Sequence, residues 1–253
     1  MSVDTRSESI AIRRKTHYLY SYTHVFERDD WFVNLILGSL CFFIPIIGHV
    51  VFMGYQYQVV EGFIRRPNQK MSKFDFNQFT EMLTRGVYPF VVSLILQFLI
   101  VPVFIIIALV AMVIPAMFDR GEQPLAMMLV GIFFAFATIV SLLVLHLIIG
   151  PLMLRAGLSQ SFGETFDIKW IRSFVKMMWI EEIMSLFFLM FSSLVVMGIG
   201  MLLCFVGMYP AAILVMLAMS HLSYQQYAIF LANGGEPIPL KEEAPCYPVE
   251  HRQ

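Results

Sequence analysis

Long apolar runs separated by short polar segments dominate the chain. Residues 88–117 and 125–154 contain no Asp, Glu, Lys or Arg, and residues 183–204 and 208–232 are almost as apolar. A helix needs about 20 residues to cross a hydrocarbon core, so each run is long enough to span. Residues 31–63 form a fifth apolar stretch. One straight helix over it would be roughly 50 Å long at 1.5 Å per residue, and Pro45 and Gly48 interrupt its middle. The pattern therefore predicts a helical hairpin with arms over 31–45 and 46–62. Short arms of this kind either cross or form a re-entrant pair.

Charge selects the threading. With the hairpin, the four segments on the side of the amino terminus hold 16 of the 17 Lys and Arg residues, and the opposite connections hold only Arg120. With a single crossing over 31–63 the split becomes 11 against 6, a weak bias for a membrane protein. The expectation is an all-α, polytopic membrane helical bundle of about six segments, with both termini cytoplasmic. Trp31, Tyr55, Tyr57, Tyr88, Trp179, Tyr224 and Tyr227 fall near the proposed cytoplasmic ends, where amphipathic rings favour the headgroup layer.

Two polar connections carry a shared pattern. Phe74-Asp75-Phe76 and Phe166-Asp167-Ile168 each open a stretch with apolar residues at helical spacing, which predicts interfacial amphipathic helices along the inner leaflet. Lys169, Arg172 and Lys176 on the second are candidate contacts to lipid headgroups, or generic anchors whose charged ends reach the interface.

Composition agrees with a membrane class: 58% of the 253 residues are hydrophobic and 14% charged, against roughly 45–50% and about 25% in soluble domains. The net charge of −1 supplies no basic field for nucleic acid. The first 30 residues lack the apolar core of a secretory signal, so the expectation is that the amino terminus is retained. Residues 1–17 read as a polar tail, 18–232 as one helical transmembrane domain, and the Pro-rich residues 233–253 as a disordered tail. Cys41, Cys204 and Cys246 are widely spaced and suggest neither a disulfide framework nor a metal site.

Candidate chemistry is sparse. His146 and His221 sit inside apolar runs and are the intramembrane ionisable candidates; the plainer reading is an interhelical hydrogen bond. Glu181 and Glu182 are adjacent, so on a helix they point about 100° apart, and they are read as headgroup-level residues at a helix start. Asn34, Glu61 and Gln97 read as bridging polar groups, His49 as a turn residue, and Gly131 with Ala135 as a small-residue packing stripe. No phosphate-binding loop, His-Glu-x-x-His or Gly-x-Ser-x-Gly motif is present, so no catalytic residue, metal or cofactor is assigned.

Phe26-Glu27-Arg28-Asp29-Asp30-Trp31, Gly54-Tyr55, Phe162-Gly163-Glu164-Thr165-Phe166-Asp167, Leu203-Cys204-Phe205-Val206-Gly207, and His221 with Gln225, Gln226 and Tyr227 together resemble the bacterial membrane family called domain of unknown function 4013. The resemblance runs over roughly residues 18–231. It implies a multi-helical protein of a prokaryotic cytoplasmic membrane and brings no activity or catalytic residue with it. The leading expectation is a non-enzymatic scaffold, assembly or lipid-organising component, whose partners are membrane lipids and a membrane protein or second copy. A small-solute transporter or channel, using His146, His221, Gln97, Asn34 and breaks at Pro102 and Pro115, is the first alternative, and a lipid-modifying enzyme the second.

Overall fold

The computed structural model describes residues 15–67, 70–118, 124–203 and 206–241. The expected external connection with Arg120, the cysteines 204 and 246, and most of the amino-terminal tail lie outside the described residues. Every regular element among the described residues is helical. In chain order these are α1 (Tyr20–Thr23), α2 (Trp31–Cys41), α3 (Ile47–Arg65), α4 (Phe79–Phe118), α5 (Pro124–Ser159), α6 (Phe162–Thr165), α7 (Ile168–Leu202) and α8 (Met208–Ala232), with short 3-10 turns at His24–Glu27 and Phe76–Gln78.

Residues 31–63 do fold as two helices, with Pro45 in the connection between α2 and α3. Phe43 in that connection meets Tyr209 at the start of α8, ring centroids 4.9 Å apart. Close backbone packing joins α3 to α4: a Cβ on Gly54 would strike the carbonyl oxygen of Met82, and one on Gly86 that of Val50. Small residues let two membrane helices approach this closely.

Three helices are long and apolar enough to cross a membrane, by length and composition: Phe76–Val113, Met128–Ser159 and Ile168–Leu202. The expected total of six segments is not reached on that measure. Helix α2 has 11 residues, roughly 16 Å at 1.5 Å per residue. Polar residues are spread along α3, and Ser220 to Tyr227 make the second half of α8 polar. Pro102 and Pro115 do not break α4, as membrane helices tolerate proline where neighbours and local adjustment satisfy the freed carbonyl.

The two expected interfacial segments are not separate helices. Asp167 caps α7, accepting from the backbone N–H of Lys169 at 3.0 Å and of Trp170 at 3.2 Å, and α7 then runs without interruption to Leu202. Asp75 likewise accepts from Asn77 N–H in the turn that leads directly into α4. The shared Phe-Asp pattern is thus a helix start with a carboxylate cap. Trp170 and Phe174 are buried against Phe230, so this stripe packs on protein instead of on a leaflet.

Residues 233–241 also differ from the expectation of a disordered tail. Trp170 Nε1 donates to the Glu236 carbonyl at 2.7 Å, Ile238 N–H donates to the Tyr227 hydroxyl at 2.8 Å, and Ile238 is buried. One apolar side chain and two satisfied polar groups hold this stretch to the bundle.

Candidate functional site

Among the described residues, four clusters of buried polar groups join the helices, and one of them lines a cavity. Arg155 on α5 is 2% exposed; its Nε donates to the Glu164 carbonyl and its NH2 to the Glu164 carboxylate at 2.9 Å, with Asp167 at 3.6 Å and the Trp170 ring 4.9 Å away. Glu61 on α3 pairs with Arg65 at 2.6 Å and with Arg85 of α4. Both are ion-pair networks that join segments, as bridging groups do. Asn34 likewise bridges, accepting from the Phe74 N–H at 3.0 Å, whereas Gln97 is exposed.

The third cluster surrounds the amino-terminal segment. His24 and His221 stack with centroids 4.1 Å apart and planes 18° from parallel. Gln225 holds this arrangement: its Oε1 accepts from His17 N–H at 2.7 Å, while its Nε2 lies 3.2 Å from the His17 carbonyl and 3.0 Å from His221 Nδ1. That contact makes Nδ1 the acceptor and leaves the His221 proton on Nε2. Neither ring nitrogen of His24 has a hydrogen-bond partner among the described residues. Burial pushes the His24 imidazole down to about 4, against a weaker upward pull from the carbonyls of Ser21 and Tyr20. Beside it, Glu181 accepts from Thr16 Oγ1 at 2.7 Å and from the Tyr18 hydroxyl at 3.2 Å. Burial, reinforced by that carboxylate, raises the Tyr18 phenol to about 12.

The fourth cluster lines a cavity of about 360 Å³ between α5, α7 and α8. Glu182, 6% exposed, and Ser185 and Gln226, both buried, stand at one end of it. His146 Nε2 lies 3.6 Å from Glu182 Oε2, and Gln226 Nε2 donates to Ser185 Oγ at 2.9 Å. Gly150 permits this arrangement, because a Cβ there would sit 3.3 Å from the Glu182 carboxylate. Pro151 follows it inside α5 and supplies no N–H to the carbonyl one turn earlier. The other end opens to the surface between Met190, 45% exposed, and Met219, 51% exposed. The remaining lining is mostly apolar, with Ser193 and Ser223 as its polar members. Such a site binds an apolar body and orients it through a few polar groups.

Of the predicted residues, His146 lies in this cavity while His221 stacks on His24, so the two are parts of different clusters. Lys169, Arg172 and Lys176 are exposed on α7 and are not part of the cavity lining. Glu181 and Glu182 do point to different surroundings, but they are not at a helix start, because α7 begins at Ile168. Glu182 was missed as a site residue for that reason. The available signal was Glu182, Ser185 and Ser193, whose spacing of 3 and 8 puts polar groups along one face of an apolar helix. Among the described residues no group of three His, Cys, Asp or Glu side chains is placed to hold a metal ion.

The family model described as "Protein of unknown function (DUF4013)" matches residues 37–205, more than half of the chain. No curated protein and no solved structure matches it.

Proposed function

Taking as premise that the chain belongs to the DUF4013 family, we propose that it is a non-enzymatic, lipid-organising protein of a cytoplasmic membrane that takes the chain of an amphiphile into the cavity between α5, α7 and α8. The observation that carries this reading is the lining of that cavity: buried polar groups at one end, a mostly apolar wall, and Met190 and Met219 reaching the surface at the other. A cavity opening onto an apolar surface selects ligands already dissolved in the bilayer. Methionines suit such a mouth, since their flexible thioethers adapt to ligands of varied shape.

The placement in the membrane is part of the same proposal. Both termini and the connections at 65–85 and 156–176 are cytoplasmic, supported by the 16 of 17 basic residues on that side. Lys169, Arg172 and Lys176 then meet anionic headgroups, and the exposed apolar faces of α4 and α5 meet acyl chains or a second copy. Single cysteines tested with an impermeant thiol reagent check this: position 70 stays unlabelled in intact cells, and labelling there overturns the topology.

Native mass spectrometry of the protein released from mild detergent tests the cavity reading. One bound amphiphile is expected, lost when Ser223→Phe or Ser193→Phe fills the cavity. Retention of the same ligand by both filled variants, or no retained ligand in the parent protein, contradicts it. A proton-coupled transport reading would draw on the His146–Glu182 pair. It requires His146→Ala to abolish proton flux in vesicles with unchanged melting, and the present reading expects no flux to abolish.

A further inference from the structure

We propose that the preferred occupant of this cavity is a single-chain amphiphile with a primary ammonium head, its nitrogen on the Glu182 carboxylate and its chain leaving between Met190 and Met219. This rests on the amphiphile reading above and adds the chemistry of the head. Glu182 accepts no hydrogen bond from any described residue; His146 Nε2 lies 3.6 Å away, beyond hydrogen-bond reach. A carboxylate at 6% exposure without a donor is unfavourable, and a cation with N–H donors corrects both its charge and its hydrogen bonding. Gln226 offers a second acceptor beside it. Its Nε2 is committed to Ser185 Oγ and the Glu181 carbonyl, which leaves its side-chain carbonyl oxygen for the ligand. An ammonium carries three donors and no acceptor, matching a pocket end that presents acceptors.

The lining also discriminates against other heads. It contains no Lys or Arg, so a phosphodiester lipid would set its phosphate against Glu182 with no counter-charge, and a fatty acid would pair two carboxylates. Along α7, Glu182 and Ser193 are 11 residues apart, roughly 16 Å at 1.5 Å per residue, which accommodates one medium alkyl chain.

The test uses the full-length protein in phosphatidylcholine nanodiscs and a diazirine-bearing dodecylamine that cross-links to cavity peptides on illumination. Dodecylamine and dodecanol compete with it at equal mole fraction in the bilayer. The expected result is that dodecylamine competes about tenfold better than dodecanol, as a charge-assisted hydrogen bond provides. Glu182→Gln removes that advantage and leaves competition by dodecanol unchanged, which also reports that the variant is folded. Equal competition by the two compounds in the parent protein overturns the ammonium assignment while the amphiphile reading stands, and so does an advantage that survives Glu182→Gln. Absence of saturable cross-linking by the probe overturns both.

Discussion

Met82 and Val92 of α4 are buried, whereas Phe98, Ile106 and Met112 farther along the same helix are more than half exposed. Helix α5 repeats the contrast in reverse order, with Phe133 and Phe136 exposed and Leu152, Leu154, Ala156 and Leu158 buried. The long apolar runs alone do not distinguish these halves, although the packed ends also carry Arg85 and Arg155. The partners of each half do. One half packs on α3 and, in α5, also on α7, and carries the buried ion pairs. The other presents large side chains outward, a surface stable only against hydrocarbon. Both are helical because lipid, like a protein core, leaves backbone groups no partner except their own helix.

Substitutions on the two halves break the contrast or sharpen it. The largest effect is expected at Arg155, where Arg155→Met removes the hydrogen bonds that its buried guanidinium donates to the Glu164 carbonyl and carboxylate and costs about 3 kcal/mol, as such charged hydrogen bonds do. Phe133→Ala on the exposed half costs under about 1 kcal/mol, because lipid fills the space. Melting of both variants in nanodiscs measures the difference, and equal losses would show that the exposed half is packed in the membrane.

Acid separates the halves next. The folded value of His24 near 4 lies below the ordinary 6.5, so between those pH values the unfolded segment binds a proton that the folded one refuses. Stability contributed by the packed end therefore falls as pH drops from about 6.5 to about 4, by about 3 kcal/mol. His24→Phe, which keeps an aromatic ring beside His221 and Phe63, removes most of this dependence. Hydrogen exchange of residues 15–30 across that range checks it, and an unchanged pH dependence in the variant counts against a buried neutral His24.

A smaller loss is expected from Gly54→Ala, whose methyl group meets the Met82 carbonyl and pushes α3 from α4, costing about 1–3 kcal/mol. Gly131→Ala is the matched control. A Cβ at Gly131 meets nothing within 4 Å, so the change stays within about 0.5 kcal/mol. A large loss there would reveal a helix partner on the exposed half, as the small-residue stripe at Gly131 and Ala135 suggests on sequence grounds.

The apolar runs and Pro45 made the long helices and the α2–α3 hairpin legible, because helix length and interruption are local properties of sequence. His146 was legible as an ionisable group in an apolar run, but Glu182 was not. Its neighbours Arg172, Lys176 and Glu181 suggested a polar helix start, and only the continuous helix from Ile168 places it inside the bundle. Contacts such as Thr16 to Glu181 and His24 to His221 join positions more than 160 residues apart. No periodicity encodes them, since they depend on how the helices pack.

The central claim is that the cavity binds an amphiphile, while the exposed halves of α4 and α5 hold no discrete ligand. Photolabelling with a diazirine-bearing dodecanol, mapped by peptide sequencing, compares the two directly. Label near Met190 and Met219 is predicted to saturate and to be competed away by excess dodecanol, while label on Ile106, Met112 and Phe133 rises in proportion to the probe. Proportional, uncompeted labelling at both places would contradict the account.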